Sequence, residues 1–164
     1  MKEESKGMKR RVDTLGRVVI PKEIRSCLRI DVGDLIEFCL TEKNSVIMKK
    51  YYILSDLKEM LSSLIRMTVC EKECSVFIVD TDNIICSNEI LTENILSNDF
   101  KDLIKQRKEC DIENICLTKG KTLRKISFFP IICNGDLYGG IVVSGEDKRL
   151  GKNLMNFIVQ MLEK

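Results

Sequence analysis

The sequence predicts an α+β protein made of a small strand-rich head and a larger mixed domain, joined by a helix. Short β-branched runs alternate with turn residues over residues 12–50, a pattern typical of a small sheet. Apolar residues recur at helical spacing over residues 54–68 and 150–162. We therefore expect a head at residues 1–52, a linker helix at 53–71 and a second domain at 72–164.

Positive charge is concentrated between residues 9 and 29. This stretch holds seven Lys or Arg and two acidic residues, a net charge of +5, whereas the whole chain carries only +2. A cationic patch in one short segment is typical of a protein that binds a polyanion. The alternative interpretation is a solvated basic face on an ordinary small helix.

The same stretch is predicted to fold as strand, tight loop, strand and short helix. Gly16 suits a loop because glycine adopts positive φ cheaply, Val18 to Ile20 favour a strand, and Pro21 suits a helix start. Helical spacing then gives one apolar packing face and one cationic face. The apolar face has Ile24, Cys27 and Leu28, and the cationic face has Lys22, Arg25 and Arg29.

The run DTLGRVVIPKEIR from Asp13 to Arg25, with Leu28-Arg29-Ile30 and Gly33-Asp34 behind it, resembles the DNA-binding signature of the AbrB family. The resemblance implies a dimeric swapped-hairpin β-barrel, similar to MazE-type antitoxins, whose arginines face double-stranded DNA. Ser26 stands where many members have a second basic residue, so affinity or sequence preference is expected to differ. By position, Arg10, Arg17 and Arg25 are implied to contact DNA, with backbone electrostatics from Lys9, Arg11, Lys22 and Arg29.

The rest of the head is predicted to be a turn at 31–34 and a hairpin of strands 35–40 and 46–50. About 45 ordered residues rarely bury enough surface to fold alone without a disulfide, a metal or a partner. Size alone therefore predicts a homodimer, and a homotetramer is the alternative.

A helix is expected to begin at Ser55, which can act as its cap. Its apolar residues step by three and four, which is either a two-heptad seam between chains or packing on its own domain. We hold the two interpretations equal. The seam consists of Leu54, Leu57, Leu61, Leu64 and Thr68.

The second domain is predicted to contain strands at 75–80, 84–87, 125–133 and 137–143, helices at 91–96, 100–108 and 150–162, and an irregular segment at 109–123 in which 115–117 is a candidate short strand. The apolar side of the last helix is predicted to consist of Leu154, Phe157, Ile158, Met161 and Leu162. Asn134-Gly135-Asp136 is a strong hairpin turn. The Gly139-Gly140 pair predicts a bulge or close packing. The order of apolar strand, Pro-Ile, turn, glycine-rich strand and terminal helix resembles a GAF domain, an α/β module that often binds small molecules.

The residues predict neither catalysis nor a metal site. The chain has no histidine, and its eight cysteines form no Cys-x-x-Cys pair, so they are interpreted as reduced apolar residues. A redox sensor at Cys70/Cys74 or Cys110/Cys116 is the lesser alternative. The acidic pairs Asp80/Asp82 and Asp111/Glu113 are assigned to turns. Core packing explains Phe128, Phe129 and Tyr138 at least as well as a ligand pocket does.

These observations predict a sequence-specific DNA-binding transcription regulator of sporulation or transition-state genes, without a cofactor. The second domain would control assembly or sense a small-molecule effector. The alternatives are an antitoxin-type autoregulator and a small-molecule sensor whose head only dimerises. No apolar run approaches the roughly 20 residues of a membrane helix, and residues 1–7 lack the apolar core of a signal peptide. We expect a cytoplasmic protein without membrane contact.

Overall fold

The computed structural model describes residues 7–69, 74–145 and 147–163. The chain divides between Tyr51 and Tyr52 into two compact units, which we call the head and the second unit. No helix in these described ranges is long and apolar enough to cross a membrane.

The head contains helix α1 (Lys22–Leu28) and strands β1 (Ile36–Leu40) and β2 (Val46–Lys50). The two strands form the predicted antiparallel hairpin, with Phe38 opposite Met48. The predicted turn before β1 is also present, where the Asp34 carboxylate accepts from the Asp31 backbone N–H at 2.7 Å.

Two expectations for the head are not met in the single chain. Residues 8–12 and 18–20 form no strand, and the described residues contain no closed barrel. A strand needs a neighbour to receive its backbone hydrogen bonds, and β1 pairs only with β2 in the described sheet. Among the described head residues only Pro21 and Ile30 are buried.

The second unit begins with helices α2 (Ile53–Asp56) and α3 (Lys58–Val69). The expected cap at Ser55 is wrong, because the Ser55 N–H already donates to the Tyr52 carbonyl inside the first turn. Leu54 and Leu61 are fully buried in the core of their own unit. Packing on its own domain therefore accounts for these two seam positions.

An antiparallel sheet forms the centre of the second unit, with strands in the order β4-β3-β7-β6-β5 among the described residues. Helices α2, α3 and α5 contribute to the core on one face, and α4 contributes to the core on the other. The elements are β3 (Ser75–Val79), β4 (Ile84–Ser87), α4 (Asn98–Lys105), β5 (Cys110–Thr118), β6 (Lys121–Cys133), β7 (Asp136–Ser144) and α5 (Lys148–Leu162).

Three sequence expectations for the second unit are wrong. Residues 91–96 are not a helix, because long-range backbone bonds hold them: the Ile84 N–H donates to the Asn94 carbonyl and the Leu96 N–H to the Asp82 carbonyl. Residues 110–118 form strand β5, which includes the candidate strand at 115–117 but replaces most of the predicted irregular segment, because β6 pairs along their length. On α5, helical spacing places Phe157 on the apolar packing side, but Phe157 is 46% exposed.

Close packing at the glycine pair is confirmed. A Cβ on Gly139 would overlap the Val79 carbonyl oxygen, and one on Gly140 would overlap the Phe128 ring. The β6–β7 register also shifts beside Gly139, between Ile131 and Ile132. Glycine therefore lets β7 approach its neighbours here.

Candidate nucleic-acid interface

The loop at residues 13–17 is organised by one carboxylate. Asp13 Oδ1 accepts from the backbone N–H groups of Leu15 at 2.9 Å and Arg17 at 2.8 Å. The Asp13 N–H donates to the Arg17 carbonyl, and the Gly16 N–H donates to the Asp13 carbonyl. Gly16 has φ 77°, so the turn uses the positive φ predicted for it.

The Arg17 side chain is held by the same carboxylate. Its Nε–H donates to Asp13 Oδ2 at 2.8 Å, although 72% of the Arg17 side chain stays exposed. The Arg17 backbone N–H, followed by its guanidinium, holds the pKa of Asp13 below its ordinary value. From the sequence, Asp13 is interpreted only as a loop residue. Asp13 and Arg17 are four residues apart and flank a glycine turn. This spacing is the sequence signal that could have revealed their ion pair.

The predicted DNA-contacting residues are all exposed. Three precede the loop, Arg17 ends it, two lie on α1, and Arg29 follows α1 in the left-handed conformation with φ 53°. Exposed cations in one short segment can neutralise phosphates and can present guanidinium groups to base edges. The set comprises Lys9, Arg10, Arg11, Arg17, Lys22, Arg25 and Arg29.

Helix α1 lacks the packed face that its sequence predicts. It begins after Pro21 and has no buried residue. Ile24 is half-buried, whereas Cys27 and Leu28 are exposed. The cationic face is therefore free, but the apolar face has no cover within the described chain.

The end of α1 is joined to β2 through Lys50. Lys50 Nζ lies 3.0 Å from Asp34 Oδ2 and donates to the Arg29 carbonyl at 3.4 Å. Both charged side chains are largely buried, so the contact fixes the helix end on the hairpin. Sequence patterns do not identify this pair, because its members lie far apart in the chain.

A second polar cluster lies in the second unit, around the β3–β4 turn. Asp82 Oδ1 is 3.1 Å from Lys101 Nζ, and the Tyr52 hydroxyl donates to Asp82 Oδ2 at 2.9 Å. Asp80 Oδ1 accepts from the backbone N–H groups of Asp82 and Asn83. Asp80 and Asp82 thus take the predicted turn role.

The turn assignment is wrong for the second acidic pair. Asp111 and Glu113 lie on strand β5 instead of at a turn. Asp111 accepts from the Ser127 hydroxyl and pairs with Lys148. The described residues contain no group of three side chains that could hold a metal ion.

Six cysteines of the described chain are free thiols in unlike surroundings, namely Cys27, Cys39, Cys86, Cys110, Cys116 and Cys133. Only Cys86 and Cys133 among them are buried, and Cys27 is exposed. Burial is the main cause that raises the pKa of Cys86 to about 11, which makes it unreactive at neutral pH. The predicted Cys70/Cys74 pair lies partly outside the described residues.

Core packing accounts for the aromatic residues that could have lined a ligand pocket. Phe128 and Phe129 are buried on opposite faces of the sheet, each within a hydrophobic core. Phe128 also contacts Phe100 edge to face, with ring centroids 6.0 Å apart. Tyr138 packs partly buried against the core that contains Phe129.

Comparison with known proteins identifies the class. No family model matches the chain. The chain is 46% identical over 48 residues to "Putative transition state regulator Abh" of Bacillus subtilis (strain 168), covering 29% of this chain and 51% of that protein. It is 32% identical over 155 residues to "Stage V sporulation protein T" of the same organism, covering 89% of this chain and 87% of that protein.

These similarities and the basic loop–helix head define an AbrB-like regulator. The chain belongs to the family of stage V sporulation protein T.

Proposed function

We propose that this protein is a DNA-binding transcription regulator of sporulation or transition-state genes, and that a dimer of the head contacts duplex DNA. The observation that carries the proposal is the exposure of all seven cations between Lys9 and Arg29. The family membership and the name of the transition state regulator support it.

The proposed contacts divide into two kinds. Arg10, Arg17 and Arg25 would read base edges, because a guanidinium can donate two parallel hydrogen bonds to guanine O6 and N7. Phosphate contacts position a protein on the duplex without reading its sequence. The residues proposed for phosphates are Lys9, Arg11, Lys22 and Arg29.

The head is proposed to act as an intertwined dimer of the swapped-hairpin type. Phe38 and Leu40 lie on one face of the β1–β2 hairpin and are 64% and 75% exposed. A two-stranded hairpin is marginally stable without packing against another element. A second head would cover this face and supply strand neighbours for residues 8–12 and 18–20.

The second unit is proposed to be a GAF-like module that joins copies of the chain. Met67 on α3 and Phe157 on α5 are 80% and 46% exposed, and both helices lie on the same face of the sheet. The second unit has its own extensive core. This disfavours the antitoxin alternative, because such antitoxins are expected to end in a disordered toxin-binding tail.

Substitution of the proposed base-reading arginines tests the function. Arg17→Ala and Arg25→Ala should each weaken binding to a duplex enriched from a randomised library by about 1–3 kcal/mol if the arginine reads a base. Fluorescence anisotropy over a salt series would measure the loss. If an arginine contacts only phosphate, the loss should be similar for all sequences, and the salt slope should fall by about one.

Lys43→Ala is the matched control, because Lys43 is an exposed cation in the β1–β2 turn of the same unit. It should leave binding nearly unchanged. If both arginine variants fold and bind like the unsubstituted protein, the proposed interface is wrong. If the unsubstituted protein enriches no duplex, the sensor whose head only dimerises becomes the better assignment.

A further inference from the structure

The carboxylate of Asp13 performs two separable tasks. Its Oδ1 accepts the backbone N–H groups of Leu15 and Arg17 and thereby builds the turn. Its Oδ2 takes no part in those two bonds and instead accepts the Arg17 Nε–H at 2.8 Å. Building the turn requires only one acceptor oxygen, so the second contact serves the arginine.

That second contact restrains the orientation of the Arg17 guanidinium. The group carries five N–H donors in a rigid fork. Pairing at Nε involves one of them and leaves the four donors on the two terminal nitrogens for a ligand. Because 72% of the Arg17 side chain is exposed, no packing from the described chain immobilises the fork. Asp13 is therefore the contact that orders it.

A carboxylate beside a DNA-binding arginine has an electrostatic cost. It repels phosphates and partly neutralises Arg17, which lowers affinity for every duplex alike. Ordering the fork favours only those duplexes that offer two acceptors in matching positions, because a bidentate contact is geometrically demanding. The contact between Asp13 and Arg17 should therefore lower the affinity for all duplexes and increase the discrimination between sequences.

We propose that Asp13 is a specificity-determining positioning residue, which orients Arg17 for bidentate contact with guanine and suppresses non-specific binding. This inference rests on the proposed DNA-binding function. The role of Asp13 is additional, because the DNA contacts proposed for the basic residues do not by themselves involve this carboxylate.

Asp13→Asn separates the two tasks. The asparagine oxygen can still accept the backbone N–H groups of the turn, whereas its amide NH₂ cannot accept from Arg17 Nε. The probes would be the duplex enriched from a randomised library and a scrambled duplex of the same composition. We expect the ratio of their affinities to fall by about 5–150-fold, which corresponds to one bidentate base contact. Affinity for the scrambled duplex should stay equal or rise.

Arg17→Lys tests the same idea without altering the turn carboxylate. Lysine keeps the positive charge but lacks the planar fork, so the affinity ratio should fall as it does for Asp13→Asn. In the Arg17→Lys background, Asp13→Asn should lower the ratio no further. If the Asp13 variant folds poorly, Arg17→Lys alone still gives a test. It must lower the affinity for the enriched duplex relative to the scrambled duplex and leave the affinity for the scrambled duplex unchanged.

Glu42→Gln is the charge control, because Glu42 is an exposed carboxylate in the β1–β2 turn of the head. It should leave the affinity ratio unchanged. The inference is overturned if Asp13→Asn retains the full ratio, if it lowers the ratio equally in the Arg17→Lys background, or if Glu42→Gln has the same effect. If the unsubstituted protein binds both duplexes equally or neither, the proposed function fails rather than this refinement of it.

Discussion

At the scale of single residues, the charged groups of this protein serve opposite purposes in the two units. In the head the seven cations between Lys9 and Arg29 are exposed and available to a ligand. In the second unit Lys101 and Asp82 are largely buried and face each other. A buried charge is tolerated only when it is paired or hydrogen-bonded. The inner cluster therefore holds the turn and α4 in place, whereas the outer set is suited to binding.

Asp80 gives a pH-dependent prediction. Burial is the main cause that raises the pKa of this carboxyl above its ordinary value, and the backbone N–H groups of Asp82 and Asn83 offset part of the effect. A raised pKa in the folded state means that the ionised form reduces stability. The free energy of unfolding should therefore decline as pH rises through the shifted pKa. Asp80→Asn removes this charge and keeps an acceptor, so its stability relative to the unsubstituted protein should increase as the pH rises from the unfolded pKa of about 4 to the raised folded pKa.

Denaturant unfolding of the second unit at several pH values would measure the difference. Asp111→Asn is the control of opposite sign, because Lys148, and then Ser127, holds the pKa of Asp111 below its ordinary value. The Asp111 contribution is present above the unfolded pKa and is lost as pH falls. Equal pH profiles for the two variants would contradict the assigned environments.

At the scale of elements, strand β7 depends on glycine where it pairs with the end of β3. Gly139 has φ 142°, and a Cβ there would overlap the Val79 carbonyl oxygen and lie 2.7 Å from Asp80 Cα. The neighbouring atoms belong to the backbone and cannot rotate away. This local fit also places the Asp80 turn, since Asp80 directly follows β3.

Gly139→Ala should destabilise the second unit by about 2–4 kcal/mol, through steric overlap added to backbone strain. Gly120→Ala is the matched control, because Gly120 also has positive φ, at 91°, but a Cβ there would meet no atom within 4 Å. It should cost only the strain, about 1 kcal/mol. Thermal unfolding would measure the loss of stability in both variants. Equal losses of stability would contradict the close approach of β7 to β3.

At the scale of the whole molecule, the head and the second unit differ in how they bury apolar surface. The second unit has two cores on the two faces of its sheet. The described head has only Ile30 as a buried hydrophobic side chain. A unit that leaves its apolar strands uncovered needs another chain to become stable.

Phe38→Lys tests the head dimer in the full-length protein. A charge in the proposed interface should abolish association through the head and lower the melting temperature of the head. Ile90→Lys is the control, because Ile90 is an exposed apolar residue of the second unit and should alter neither property. Sedimentation velocity at micromolar concentration measures the change in association, and thermal unfolding measures the change in melting temperature. A folded monomeric head in the unsubstituted protein would overturn the swapped-hairpin assignment.

Association through the second unit should strengthen binding to long DNA. When two head dimers belong to one particle, the second contact is intramolecular and can raise affinity about 10²–10⁴-fold. Met67→Glu combined with Phe157→Glu should reduce a tetramer to a dimer in light scattering. The same variant should bind long fragments without cooperativity and short duplexes normally. If neither the particle size nor the binding changes, a ligand-controlled role for the second unit is favoured.

The sequence by itself determined the features that depend on neighbours in the chain. The loop at residues 13–17, α1 after Pro21, the β1–β2 hairpin and the Asn134-Gly135 turn follow from φ preferences, β-branching and turn chemistry. The basic stretch is visible as a local charge imbalance. The resemblance to the AbrB signature is likewise visible in one short run of residues, Asp13 to Arg25.

Tertiary structure alone decided the features that depend on distant partners. Strand β5 forms because β6 pairs with it. Residues 91–96 are not helical because their backbone groups form hydrogen bonds with Ile84 of β4 and with the Asp82 carbonyl. Burial of Leu54 and Leu61, and the pairing of Lys101 with Asp82, likewise depend on chain segments far away in sequence. Such contacts involve long loop closures, and residue spacing does not encode them.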